Sequence, residues 1–184
     1  MEIGDKITGV AEIDETRHLA VFFGSLLQGF INIPFSARFR VEGDSMLPTL
    51  CDGESVLVVR PGSRRTRINR GDLVIFEHPN GQGGVYIKRV VGLPGEDIKI
   101  AGGWVFWDGN LLEEDYIQSG PIVDASRADT KEWFNGPDEY FLLGDNRGDS
   151  NDSRDFGPVA SGQIKGRAWV RCWPLSRLWP IGRH

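Results

Sequence analysis

The sequence predicts a mainly β protein: a folded-over antiparallel sheet or barrel, with a short N-terminal hydrophobic helix. Three observations predict it. The 184 residues include 24 glycines and 10 prolines, which suits a chain of many turns better than a helical bundle. Short β-branched and aromatic runs recur between those turns from Arg38 onward. One uncharged apolar run, Leu19–Phe35, stands apart near the N-terminus.

Residues 1–18 are polar and mildly acidic. The run that follows, LAVFFGSLLQGFINIPF, is predicted to be an anchor helix over residues 19–35. At about 1.5 Å of rise per residue it is barely long enough to cross a bilayer. Ser25, Gln28 and Asn32 share one helical face, so a helix lying in the interface or packed against protein stays open beside a spanning one. Phe35-Ser36-Ala37 puts a bulky side chain where a cleaved leader wants a small one. Arg17 before the run, and Arg38 and Arg40 after it, orient it poorly.

Residues 36–184 are expected to form one β-rich domain. Arg38–Glu42 alternates, and Ser55–Arg60 is short and β-branched. Asp72–Phe76 follows a turn at Arg70-Gly71, and Val85–Val91 follows the glycine-rich Gly81–Gly84. Asp97–Ile100 and Trp104–Trp107 flank Gly102-Gly103, a hairpin signal. Glu139–Leu143 and Ile164–Cys172 complete the strands. Residues 108–137 have little periodicity and read as a long excursion with a weak strand near Tyr116.

Hydrophobic residues make up 40% and charged residues 26%, the balance of a globular domain. A net charge of −5 argues against nucleic acid as a partner. The densest basic group, Arg64, Arg65, Arg67 and Arg70, reads as a solvated loop, with lipid head groups as the sharper alternative. Cys51 and Cys172 are too few for a disulfide framework, and their redox state stays open. The three histidines, His18, His78 and His184, offer no good triad base, and with two cysteines they are too few for a zinc site. No GxGxxG or P-loop pattern is present.

Three segments carry residues fit for chemistry. In VEGDSMLPTL, a strand end and Gly43 lead to Ser45 in a proline-containing turn. A serine there is ordinarily a turn residue, but such a junction can expose its hydroxyl and aim backbone N–H groups at an oxyanion. In VYIKRVV, Lys88 shares a strand face with Tyr86 and Val90. If that face is buried, desolvation lowers the lysine pKa and makes it a base; if it is an edge, the lysine snorkels to water. The third segment, GDNRGDSNDSRD at 144–155, is a dense hydrogen-bonding loop too acidic for phosphate and without the closing glutamate of an EF-hand. Within it Asp152 and Arg154 can pair, and Ser150 can hydrogen-bond a neutral lysine.

In order and spacing, these segments closely resemble the three boxes of type I signal peptidases, the serine/lysine proteases of protein export. The resemblance runs from about Phe35 to the C-terminus and includes GQIKGRAWVRCWP as the closing strand. It implies that fold, with Ser45 as nucleophile and Lys88 as general base. It implies that Ser150 orients Lys88, that Asp152 and Arg154 form a supporting ion pair, and that Gly144 and Asp145 support the site. Met46, Phe35, Leu47 and Val85 become candidates to line shallow pockets for small side chains. Gly43 stands where some members carry a hydroxyl residue, so the oxyanion hole would rest mainly on the Ser45 backbone N–H.

The implied activity is cleavage of signal peptides from exported preproteins after an Ala-x-Ala-like site. It proceeds through an acyl-enzyme, with neither metal nor cofactor. The expected setting is the cell membrane, in contact with lipid, as a single-pass monomer with an extracytoplasmic catalytic domain. Two rivals remain: a serine/lysine peptidase dedicated to one exported protein, and a non-catalytic β domain that binds exported peptides. Intact Ser45, Lys88, Ser150, Asp152 and Arg154 speak against the second.

Overall fold

The computed structural model describes residues 36–60, 67–81, 83–117 and 130–181. The expected anchor helix at 19–35, the arginines Arg64 and Arg65, and residues 118–129 lie outside the described residues.

Two antiparallel sheets carry the fold. Strands β1 (Ser36–Arg40), β2 (Ser55–Val59), β3 (Leu73–Glu77), β4 (Val85–Gly92), β9 (Glu139–Leu143), β10 (Val159–Ala160), β11 (Ile164–Trp173) and β12 (Trp179–Pro180) form the larger one. Its order is β1-β2-β11-β3-β4-β9-β10, with β12 beside β11. Strands β5 (Asp97–Ala101), β6 (Trp104–Trp107), β7 (Asn110–Leu111) and β8 (Lys131–Phe134) form the smaller, in the order β7-β6-β5-β8. One short helix, α1 (Ser153–Phe156), follows β9.

The long strand β11 sits between β2 and β3, pairing Arg167 with both Val59 and Val74. Its alternating buried and half-buried residues show why the period of two was readable there. β4 is instead buried on both faces from Lys88 onward, because it lies between β3 and β9 with a cluster on each side. On one face Tyr86 and Val90 meet Val74, Phe76 and Leu142; on the other Val91 meets Ile98 and Phe141. Gly92, at the register shift against β9, lets the small sheet approach: a Cβ there would stand 2.6 Å from Ile98 Cδ1.

The excursion departs from expectation. Residues 115–116 form a turn, with Ile117 N–H donating to Glu114 O at 3.0 Å, so no strand runs through Tyr116. Among the excursion's described residues the strands are β7 and β8, both in the small sheet. β7 is two residues long and follows Asp108-Gly109, both at positive φ, a hairpin turn whose Asp-Gly signal stood in the sequence. β10 and β12, also two residues each, are too short to show a period.

Candidate active site

The turn carrying Ser45 is fixed from inside. Val41, Met46 and Leu50 are buried with Val56, Val58 and Leu73, and Leu50 N–H donates to Met46 O at 2.9 Å. Gly43, at φ 82°, turns the chain out of β1 and donates its N–H to Asp52 Oδ1 at 2.9 Å. Ser45 is left half-buried while its neighbour Met46 is 1% exposed. Met46, expected to line a substrate pocket, has its side chain packed in the core. Of the other pocket candidates, Leu47 is half-buried beside Ser45 and Val85 is 46% exposed at the start of β4. A strand rise of about 3.3 Å per residue separates Val85 from Lys88 by about 10 Å. Phe35 lies outside the described residues.

Lys88 is opposite Val74 in the middle of the sheet and 3% exposed. Its Nζ donates to Ser45 Oγ at 2.6 Å. Burial pushes its pKa down, Asp152 and Asp145 push it up, Arg154 pushes it down, and the balance leaves it below the ordinary lysine value of 10.5. A neutral amine in this position can reverse the contact and take the Ser45 proton.

The third segment wraps the same point. Asn146 N–H donates to Ser45 O at 3.0 Å, and Asn146 Nδ2 to Asp44 O at 3.2 Å. Gly144 donates its N–H to Asp152 Oδ2 at 3.0 Å. A Cβ on Gly144 would overlap the Ser150 hydroxyl and come within 2.6 Å of Ser45 O, so only glycine fits. Asp152 caps α1 and takes two bonds of 2.8 Å from the Arg154 guanidinium. Burial would raise the Asp152 carboxyl; bonds and charge from Arg154, with help from Gly144 and Ser150, outweigh it and hold the pKa below the usual carboxylate range. Ser150 is buried against Gly144 and Asp152, and its Oγ completes no hydrogen bond of good geometry. The expected bond from Ser150 to Lys88 is therefore not formed here, since Lys88 Nζ is directed at Ser45.

Sequence reasoning named Asp145 but missed the rest of a second layer of charge around it. Arg89, 1% exposed, gives a fork to Asp145 at 2.8 and 2.6 Å and donates to Gly71 O at 2.9 Å. Asp145 also accepts from Thr49 Oγ1 at 2.5 Å, which ties the Ser45 turn to β4. The Arg89 guanidinium lies 3.8 Å from the centre of the Tyr116 ring. Tyr116 OH donates to Glu114 Oε1 at 2.6 Å, and Glu114 takes a fork from Arg147. One signal was available: an arginine inside the apolar run YIKRVV must be met by an acid when both faces are buried. Cys51 and Cys172 are both free thiols, and Arg177 donates to Cys51 Sγ at 3.0 Å. Among the described residues no three His, Cys, Asp or Glu are grouped to hold a metal ion, and no helix is long and apolar enough to cross a membrane.

Residues 15–173 match the family described as signal peptidase, peptidase S26. A signal peptidase I of Leptolyngbya laminosa is 38% identical across 79% of this chain and 72% of its own length. A signal peptidase IB of Staphylococcus aureus is 32% identical across 81% of this chain and 82% of its own. A crystal structure of a signal peptidase I from Enterococcus faecalis aligns at 30% identity with a TM-score of 0.48, covering 55% of this chain and 96% of that one.

Proposed function

Because this chain belongs to the signal peptidase family, peptidase S26, we propose that it removes signal peptides from exported preproteins with Ser45 as nucleophile and Lys88 as general base. The observation that carries the reading is the 2.6 Å contact between Ser45 Oγ and a Lys88 amine buried in the sheet.

Neutral Lys88 takes the Ser45 proton as Oγ attacks the carbonyl after a small residue. The Ser45 backbone N–H and neighbouring groups stabilise the tetrahedral oxyanion. The leaving amine then takes the proton from the Lys88 ammonium, leaving an ester on Ser45. Lys88 next deprotonates a water that attacks the ester, and the proton passes back to Ser45 as the new C-terminus leaves. Once Ser45 Oγ is committed to the ester, Lys88 Nζ loses its partner. The unsatisfied Ser150 hydroxyl is the group that would then orient it.

The substrate binds as an extended strand added to a sheet edge, with its small side chains near the half-buried Leu47. The enzyme works as a monomer at the membrane, with Leu19–Phe35 as its anchor and the catalytic domain on the extracytoplasmic side. The test is cleavage of an Ala-x-Ala preprotein by the detergent-solubilised full chain beside Ser45→Ala, with the new N-terminus sequenced. Cleavage after the second Ala, absent in the variant, supports the reading. Failure of a folded wild type in lipid, from neutral to alkaline pH, moves the assignment to a dedicated processing peptidase or a peptide-binding domain.

A further inference from the structure

The segment just before residue 118 sends two side chains, two residues apart, into the charged layer behind the candidate site. Glu114 holds the Arg147 fork, with Arg147 Nη1 donating at 3.0 Å, and the side chains of this pair are only 9% and 7% exposed. Tyr116 places its ring under the Arg89 guanidinium and its hydroxyl on Glu114. Each arginine leads directly to the reacting groups. Arg147 donates through Nε to Gly144 O at 3.0 Å, and its own carbonyl accepts from Arg154 Nη1 at 2.8 Å. Arg89 holds Asp145, which holds Thr49 in the Ser45 turn.

We propose that Glu114 and Tyr116 are positioning residues, a brace that sets the 144–154 loop against Ser45 and Lys88 through Arg147 and Arg89. The proposal rests on the peptidase reading above. Its physical basis is that a buried guanidinium keeps its place only while its carboxylate partner does. Without Glu114, Arg147 turns toward water and releases Gly144 O, and the loop bearing Asp145 and Asp152 draws back from Lys88. Asp152 and Asp145 raise the Lys88 pKa while burial, the largest influence, and Arg154 lower it, so the loop's retreat upsets that balance as the Ser45–Lys88 geometry loosens.

The test measures preprotein cleavage by the full chain across pH for wild type, Glu114→Gln, Tyr116→Phe and the double variant Glu114→Gln/Arg147→Met. Glu114→Gln is expected to lower kcat by about 10²-fold, the scale of a 1 Å misplacement of a catalytic group. KM should change little, and the acid limb of the profile should move from its wild-type position. Tyr116→Phe, which keeps the ring over Arg89, is expected to shift the limb in the same direction by less. The double variant removes both charges and is expected to recover the thermal midpoint without recovering kcat.

Wild-type kcat in the double variant would reduce Glu114 to the burial of a charge and overturn the proposal. Wild-type kcat and an unmoved acid limb in both Glu114→Gln and Tyr116→Phe would overturn it too. Should Glu114→Gln fail to fold, Tyr116→Phe and the double variant decide alone. Inactivity of the wild type would fail the peptidase reading instead, so the two failures are told apart.

Discussion

The Asn146 N–H donates to the carbonyl of Ser45 at 3.0 Å, so the loop after β9 grips the peptide unit of the residue proposed as nucleophile. The grip needs the close approach of Gly144, and four predictions follow from this arrangement and its charges.

Gly144→Ala is expected to cost activity and stability together. The added methyl meets Ser150 and Ser45 O, one a side chain wedged in place and the other backbone, so neither yields without moving the site. Overpacking of this kind costs about 1–3 kcal/mol, and the accompanying displacement should cut kcat by about tenfold or more. Urea titration and initial rates on the same preparation check both.

Activity is expected to rise with pH through the folded-state pKa of Lys88, because only the neutral amine accepts a proton. That limb lies below the ordinary lysine value of 10.5, since burial is the largest influence on the group. Lys88→Arg keeps a charge that cannot be shed and should be inactive by about 10⁴-fold or more. Lys88→Met should be equally inactive yet more stable. A lysine whose folded pKa is depressed destabilises the native state below that value, and the penalty fades as pH rises toward the unfolded pKa. Thermal midpoints of Lys88→Met against wild type at neutral pH, and their convergence at alkaline pH, measure this.

Asp152→Asn is expected to destabilise the protein by about 3–5 kcal/mol, the cost of leaving a largely buried arginine without its partner. In the wild type the carboxyl is held below its unfolded pKa. Its contribution is therefore fully present above the unfolded value and is lost as pH falls through the folded one. Urea midpoints measured at neutral and progressively acidic pH should converge for wild type and variant.

Ser150→Ala removes a buried hydroxyl that makes no hydrogen bond of good geometry, so it should leave the urea midpoint nearly unchanged. If Ser150 steadies Lys88 during deacylation, kcat should fall by about 10–10²-fold with acyl-enzyme accumulating, visible as a burst. Equal loss in stability and rate would assign the side chain to packing instead.

Most strands were readable because each is a short β-branched or aromatic run with turn residues at both ends, and β11 shows the cleanest alternation. Lys88 could be placed on a face with Tyr86 and Val90, but the burial of both faces of β4 depends on strands far away in sequence. The depth of Met46 could not be read beside Ser45, because its burial comes from Val56, Val58 and Leu73. Glu114 and Tyr116 were invisible because their segment has no period, and their worth comes from arginines 33 and 27 residues away (147 − 114 and 116 − 89). Pairings of that range leave no local pattern.

The place of β11 has a consequence for the birth of the protein. Among the described residues, β1 and β2, which lead into and out of the Ser45 turn, share a hydrogen-bond ladder with β3 and with β4, which carries Lys88, only through β11. On a ribosome β11 emerges after β1–β4, so it must slip between two hairpins already made. A chain interrupted before Ile164 holds the proposed nucleophile and base on hairpins with no ladder between them.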